Sequence, residues 1–267
     1  MSGTETGRVT SADGTSIVFD RSGTGPPVVL VHGAFTGRAH PILSEVAAIL
    51  ARWFTVFNYD RRGRGDSGDA QPYAIKREAE DLAALIEIAG GSAMVFGGSS
   101  GAGLVLRAAP QNPAISKLAV WEPPFHVDDS APRLPRDFAA QLDALIRKGR
   151  RADAVELFMV EAAAVPAETV AAMRLQPSWA DTEAVAHTLP YEAAIMGPGN
   201  TLPADELAAI TQPALVLTGG NSPAWITKAG EAVARTIPGA VHRVLNSQTH
   251  SVSPTALVPE LLEFFTG

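Results

Sequence analysis

The chain alternates short apolar runs with longer stretches in which apolar residues recur at helical spacing. The first clear run, Val28 to Val31, has four consecutive β-prone residues and predicts a strand buried on both faces, as in a parallel sheet. Stretches with apolar residues three and four positions apart, such as 75–89, predict amphipathic helices between strands. Further strands are predicted at 54–57, 93–96, 117–121, 214–217 and 241–245. Strands that alternate with helices indicate right-handed crossovers and a mostly parallel sheet.

Two parts of the chain depart from this alternation. Near the N-terminus, Asp13-Gly14 separates two short strand-like runs and predicts a β-hairpin turn. Between residues 125 and 201, helical runs follow one another without a strand candidate. We therefore predict a core domain made of residues 1–124 and 202–267, interrupted by a helical insertion of residues 125–201.

Composition and charge narrow the class of protein. The 46% of hydrophobic and 18% of charged residues are typical of a folded chain, and the net charge of -7 argues against nucleic-acid or anionic-membrane partners. The absence of cysteine excludes disulfides, thiolate metal sites and cysteine nucleophiles. The N-terminus is polar, without the pattern of a signal peptide, and no apolar run approaches about 18 residues. We expect a soluble cytoplasmic protein, a monomer or homodimer, that acts on a small molecule.

A glycine-rich segment supplies the strongest candidate for chemistry. GGSSGAG, residues 97–103, follows the strand predicted at 93–96 and begins a helix, with Gly97 and Gly101 completing G-x-S-x-G around Ser99. A serine in such a sharp turn is a candidate nucleophile, and a serine that only caps the helix is the alternative. The segment lacks the ending of a P-loop and the spacing of a dinucleotide fingerprint, so we expect no cofactor there.

Five segments occur in an order that extends this candidate. They are VLVHGAF (29–35), YDRRGRGDSG (59–68), FGGSSGAG (96–103), PALVLTGG (213–220) and SQTHSVSP (247–254). Together they resemble the α/β-hydrolase superfamily over nearly the whole chain. The resemblance implies an α/β fold with a doubly wound, mostly parallel eight-stranded sheet and a helical cap inserted after the sixth strand, which matches the insertion at 125–201.

The resemblance also implies the partners that a serine nucleophile needs. A hydroxyl must lose its proton to a base as it attacks, and the family places that base at His250, before the last helix. Most relatives carry an aspartate after the seventh strand, but residues 217–223 contain no carboxylate. Certain haloalkane dehalogenases and zearalenone-type lactonases instead use a glutamate after the sixth strand. Glu122 occupies that place and is predicted to orient His250; a salt bridge with the base of the cap is the alternative.

Backbone donors and an apolar pocket complete the predicted site. We expect the oxyanion to be held by the N–H groups of Ser100 and Ala34, with Phe35 as the competitor of Ala34, and His32 to be structural. His126 is a further candidate for the pocket. The apolar candidates are Phe35, Phe125, Phe158, Met159, Met173, Trp179, Tyr191 and Met196.

These features predict a serine hydrolase that needs no cofactor or metal. We expect it to cleave a carboxylic ester, lactone or thioester of a small, largely apolar substrate through an acyl-enzyme on Ser99. Two alternatives stay open. One is a non-hydrolytic or carbon–carbon-cleaving enzyme of the same fold, and the other is a ligand-binding degenerate hydrolase, suggested by the missing aspartate.

Overall fold

One sheet organises the protein. In this computed structural model, residues 3–267 are described, so the first two residues of the polar N-terminal segment lie outside the description. Within this range, eight strands form the sheet. They are β1 (Glu5–Thr10), β2 (Ser16–Ser22), β3 (Pro27–Val31), β4 (Thr55–Tyr59), β5 (Ala93–Gly98), β6 (Ile115–Trp121), β7 (Ala214–Gly219) and β8 (Val241–Leu245).

The sheet has the order β1-β2-β4-β3-β5-β6-β7-β8. The β1–β2 and β2–β4 pairs are antiparallel, and the other five are parallel. Thr10 pairs with Ser16 across the predicted hairpin turn, where Gly14 has a positive φ of 87°. The predicted α/β fold with a mostly parallel eight-stranded sheet is therefore confirmed.

Helices cover both faces of the sheet and fill the chain between β6 and β7. Those around the sheet are α1 (Pro41–Leu50), α2 (Ile75–Ile88), α3 (Ser100–Ala108), α10 (Ala224–Thr236) and α11 (Pro254–Thr266). Those between β6 and β7 are α4 (Phe138–Arg147), α5 (Arg151–Leu157), α6 (Ala167–Met173), α7 (Trp179–Ala184), α8 (Leu189–Met196) and α9 (Ala204–Ala208). Within residues 3–267, no helix has the length and hydropathy needed to cross a membrane.

The continuous apolar run of β3 is explained by packing on both sides. Val29 and Val31 belong to a buried cluster with residues of α2 and α3, whereas Val28 and Leu30 belong to a second cluster with residues of α1 and α11. All four side chains are fully buried. A strand covered on both faces needs apolar residues at every position, which is why the run does not alternate.

The helical insertion has a core of its own. Phe138, Leu142, Val155, Trp179 and Leu189 are among the residues of this buried cluster. The two ends of the insertion meet at an isolated parallel bridge between His126 and Thr201, where the His126 N–H also donates to the Asn200 carbonyl at 2.8 Å. The bridge lies at the limits predicted for the insertion, and the division into two domains stays a prediction.

The turn from β5 into α3 depends on glycines because backbones meet there. A Cβ atom at Gly97 would lie 2.6 Å from the Gly101 carbonyl oxygen. One at Gly101 would lie 2.6 Å from the carbonyl oxygens of both Val31 and His32. Both distances are far below van der Waals contact, so only glycine lets α3 begin this close to the end of β3.

Gly101→Ala is therefore expected to destabilise the fold. The new methyl group must displace backbone rather than a flexible side chain, which costs about 1–3 kcal/mol in the free energy of unfolding. Urea unfolding of the variant measures this cost. Gly98→Ala is the matched control, since a Cβ there meets no atom within 4 Å. Equal losses in the two variants would contradict the packing explanation.

Candidate active site

Ser99 lies in a strained turn between β5 and α3. Its φ of 56° and ψ of -126° are unusual for a residue with a side chain, and its N–H donates to the Trp121 carbonyl at 2.8 Å. The side chain forms no capping hydrogen bond with α3. The alternative of a simple helix cap thus lacks support, and the hydroxyl lines a cavity together with Ser100 and His250.

Glu122 and His250 form a hydrogen-bonded pair at the carboxyl end of the sheet. Glu122 directly follows β6, is fully buried and has a φ of 46°. Its Oε1 accepts the Gly219 N–H at 2.7 Å, and its Oε2 lies 2.7 Å from His250 Nδ1. An ionised carboxylate only accepts, so Nδ1 carries the proton in this pair and Nε2 is free to accept one. These contacts are to β7 and the histidine loop, not to the base of the insertion as the alternative required.

His250 lies on a loop that other contacts hold in place. Its side chain is 53% exposed, and its carbonyl accepts hydrogen bonds from Trp121 Nε1 at 3.0 Å and from the Val252 N–H at 3.1 Å. Among residues 3–267, the Ser99 hydroxyl forms no hydrogen bond with His250. Such catalytic hydrogen bonds are often long until a substrate is bound. His250 thus contacts Glu122 directly. Ser99 and His250 line the same cavity without a hydrogen bond between them in the described part of the chain.

The loop after β7 packs closely against the histidine loop. A Cβ at Gly219 would lie 2.5 Å from the Gln248 carbonyl oxygen, which also accepts the Asn221 N–H at 2.8 Å. The close approach leaves the Gly219 N–H directed at Glu122. Glu122 therefore sits where His250 can reach it, although residues 217–223 contain no carboxylate.

The predicted oxyanion donors lie beside the serine. A Cβ at Gly33 would lie 3.0 Å from Ser99 Cβ and 3.6 Å from Ser99 Oγ, so the loop that carries Ala34 touches the serine. Ser100 is the first residue of α3, where a backbone N–H has no acceptor within the helix. In the part of the chain that the structure describes, the N–H groups of Ala34, Phe35 and Ser100 have no backbone acceptor. Phe35 thus remains a competitor of Ala34.

The cavity beside Ser99 is small and largely apolar. Its volume is about 220 Å³. One wall comes from the insertion and another from the start of α10. The apolar lining includes Pro124, Phe138, Phe158, Val165, Met196, Trp225 and Ile226, and the polar lining consists of Ser99, Ser100, Glu192, Asn200 and His250. Within residues 3–267, no lysine or arginine lines this cavity.

The structure places some of the predicted pocket residues at the cavity and others away from it. Phe158 and Met196 line the cavity, but Phe125 is fully buried in the cluster that contains residues of α2 and α3, and Trp179 belongs to the buried cluster of the insertion. The Tyr191 ring stacks on the Tyr73 ring at 3.9 Å, and its hydroxyl donates to Asp69 at 2.8 Å, so it lies outside the cavity lining. Aromatic side chains at helical spacing fill cores more often than pockets.

Two further predicted pocket residues also lie outside the cavity lining. Phe35 contacts the Phe158 ring edge-on at 5.5 Å and is not among the described residues that line the cavity. His126 packs against the Trp225 ring at 5.5 Å and faces a separate surface groove. Met159 and Met173 also lie outside the lining.

Sequence reasoning missed a buried ionic cluster next to the site. Arg61 is 1% exposed and donates to Glu78 through Nε and Nη2, at 2.6 and 2.7 Å, and to Glu192 through Nη1 at 2.9 Å. Arg64 also donates to Glu192. Burial opposes the ionisation of Glu192, but the two arginines outweigh it and hold the pKa of this carboxyl below its usual range. Three arginines within residues 61–64, directly after a buried strand, are the sequence signal for such a cluster.

The His32 side chain is held by a buried hydrogen bond to Asn58. Its Nε2 lies 2.6 Å from Asn58 Oδ1, so Nε2 carries the proton, and the Asn58 amide donates to the Arg38 carbonyl at 2.9 Å. Burial lowers the pKa of His32 to about 3. The ring is therefore neutral near pH 7 and serves as a fixed hydrogen-bond donor. Within residues 3–267, there is no cluster of three side chains suited to a metal ion.

Comparison with known proteins shows the family to which the chain belongs. The model of the alpha/beta hydrolase family matches residues 28–258, and the chain belongs to this family. An alpha/beta hydrolase from Sphaerobacter thermophilus DSM 20745 is 55% identical in its crystal structure, with a TM-score of 0.91 over 97% of this chain and 100% of that chain. A thermophilic esterase from Thermogutta terrifontis is 22% identical, with a TM-score of 0.74 over 98% of both chains, and shares the fold.

A curated relative matches over a shorter segment. The uncharacterized hydrolase YraK of Bacillus subtilis strain 168 is 39% identical over 93 residues, which are 33% of this chain. The match spans 34% of that protein's own length, about a third. It supports the family assignment and does not bear on the substrate.

The low pKa of His32 predicts a pH dependence of stability. The unfolded chain binds a proton on this histidine below its ordinary pKa of 6.5, whereas the folded protein stays neutral there until about pH 3. Stability therefore falls as the pH is lowered through this window. In His32→Gln, the slope of the free energy of unfolding against pH, from about pH 6 to about pH 4, should be smaller by about 1.4 kcal/mol per pH unit. Urea unfolding at several pH values measures both slopes, and equal slopes would show that His32 does not stay neutral.

Proposed function

We propose that this protein is a serine hydrolase that cleaves an ester-type bond through an acyl-enzyme on Ser99. The observation that carries the proposal is the 2.7 Å contact between Glu122 and His250 beside a cavity that Ser99 and His250 share. A base held by a carboxylate next to a serine in a strained turn is the arrangement that nucleophilic catalysis needs. The family assignment and the similarity to proteins described as hydrolases and an esterase support the same reaction class.

The proposed reaction has two halves. His250 Nε2 takes the proton of the Ser99 hydroxyl as Oγ attacks the substrate carbonyl carbon, and Glu122 stabilises the resulting imidazolium. The carbonyl oxygen becomes an oxyanion that accepts from the N–H groups of Ala34 and Ser100. The imidazolium then protonates the leaving alcohol or thiol, which departs and leaves the acyl group on Ser99. In the second half, His250 takes a proton from water as the water oxygen attacks the acyl carbon, and it gives this proton to Ser99 Oγ as the bond between Oγ and the acyl carbon breaks and the acid leaves.

The cavity supports a compact, uncharged substrate. Its lining is mainly apolar, and Glu192, the one carboxylate among the described lining residues, is paired with Arg61 and Arg64. A substrate carboxylate would find no lysine or arginine among the described lining residues, and burying it unpaired would be costly. We therefore propose neutral esters, lactones or thioesters, with residues 125–201 acting as a cap over the site.

The paired Glu122 also weakens the case for a non-catalytic receptor. The argument for that alternative was the missing aspartate after β7. With Glu122 hydrogen-bonded to His250, the base has its carboxylate from β6 instead.

Ser99→Ala should abolish turnover of aryl esters. Without the nucleophile, kcat should fall by at least about a thousandfold, because neither His250 nor the oxyanion donors can form the acyl-enzyme. Hydrolysis of p-nitrophenyl esters measures kcat. A fluorophosphonate probe should label the parent protein on Ser99 and leave the variant unlabelled. Unchanged turnover in the variant would make the proposed function wrong.

Glu122→Gln should lower kcat while the fold is kept. The new amide can still accept from Gly219, but its NH₂ group would donate to His250 Nδ1 and move the proton to Nε2, which can then no longer act as a base. Loss of the correct tautomer should lower kcat by about 10⁴-fold. Ser222→Ala, in the loop where most relatives carry the acid, is the control and should leave kcat unchanged. The reverse pattern would show that Glu122 does not orient His250.

A further inference from the structure

The peptide group between Gly33 and Ala34 is held from the side opposite to the proposed oxyanion. Its carbonyl belongs to Gly33 and its N–H to Ala34, and the two point in opposite directions because the peptide unit is planar and trans. Arg64 Nη1 donates to this carbonyl and also to the Thr36 carbonyl at 3.0 Å. The Thr36 hydroxyl donates to the same Gly33 oxygen at 3.1 Å. Fixing the carbonyl therefore fixes the direction of the Ala34 N–H.

Arg64 is itself held by the helical insertion. Its side chain is 2% exposed, its Nη2 donates to Glu192 Oε1, and its Nε lies 3.3 Å from Thr188 Oγ1. Glu192, on α8, is fully buried. Glu192 Oε2 accepts from Arg61 Nη1, which also donates to the His32 carbonyl at 3.1 Å. One carboxylate of the insertion thus anchors two guanidinium groups, and these bind three carbonyls of the loop 32–36.

We propose that Arg64, anchored by Glu192, is a positioning residue that orients and polarises the Ala34 N–H for the oxyanion. This inference rests on the proposed function. A charged donor on the Gly33 carbonyl draws electron density through the peptide unit and strengthens the N–H at its other end, an effect enhanced by the low dielectric of a buried site. The same contact keeps the peptide from rotating, so the donor is in place before the oxyanion forms.

Arg62 offers an internal comparison for a purely structural role. It belongs to the same turn, is 1% exposed and binds Asp81 through Nε and Nη2 at 2.8 and 2.7 Å. It also donates to Asp13 at 2.9 Å and to the Arg77 carbonyl at 3.1 Å. All of these partners lie away from the loop 32–36. Arg62 thus matches Arg64 in burial and charge but not in its contact with the oxyanion loop.

The test compares Arg64→Gln and Glu192→Gln with Arg62→Gln. Turnover of a p-nitrophenyl ester gives kcat and KM, and the Ki of an aryl trifluoromethyl ketone, which forms a hemiketal oxyanion on the serine, reports the oxyanion site directly. Thermal unfolding by circular dichroism selects a temperature at which every variant is folded. Removing a whole oxyanion donor lowers kcat about 10²- to 10³-fold, so disturbing one should lower kcat and raise Ki by about 10- to 100-fold with little change in KM.

Arg62→Gln should lower Tm and leave kcat and Ki unchanged. Arg64→Lys, which keeps one charged donor, should recover part of the kcat lost in Arg64→Gln. If both Arg64→Gln and Glu192→Gln keep the parent values of kcat and Ki, the positioning role is wrong. Should Arg64→Gln fail to fold, the near-isosteric Glu192→Gln and the Arg64→Lys variant decide by the same two readouts. A parent protein that neither turns over esters nor reacts with a fluorophosphonate would overturn the proposed function itself, and this role with it.

Discussion

Glu122 is a fully buried carboxylate, and the geometry of the candidate site depends on its two hydrogen bonds. An unpaired carboxylate would be costly at this depth, but the Gly219 N–H and His250 Nδ1 each satisfy one oxygen. The pairing of β6 with β7 brings Gly219 beside Glu122, and Trp121 Nε1 holds the backbone of the histidine loop. The orientation of the imidazole therefore follows from contacts made by the central sheet.

A second set of buried charges connects the insertion to the loop beside the serine. Two arginines and two glutamates, Arg61, Arg64, Glu78 and Glu192, balance one another where water is excluded. Removing one member of such a set leaves its partners as buried, unpaired charges, so each of the four fixes the positions of the others. Since Glu192 belongs to α8 and also lines the cavity, the insertion shapes the substrate space and supports the loop carrying the proposed oxyanion donor. In the proposed mechanism, the helices of the insertion therefore form part of the active site.

The strands, the helices and the turn at Ser99 were predictable because their signals are local. Periodicity reveals a helix, and close backbone contacts require glycine at fixed offsets from the serine. Predicting the acid at Glu122 required the order of the strands, which the family resemblance supplied.

The pocket was not predictable from the sequence. Trp179 and Tyr191 cannot be distinguished by sequence from residues that line the cavity, because packing decides which face of a helix meets it. The Arg61–Glu192 contact joins residues 131 positions apart, so the run of arginines can indicate a buried ionic cluster but not its partner on α8.

The proposed mechanism requires a covalent intermediate at Ser99. The most direct measurement is the mass of the intact parent protein, quenched during turnover of an ester with a bulky, slowly released acyl group, followed by peptide mapping. An acyl-enzyme should increase the mass by that of the acyl group less one hydrogen, and the increase should be located on the peptide that contains Ser99. Consumption of the ester without any adduct, or an adduct on another residue, would contradict the proposed mechanism.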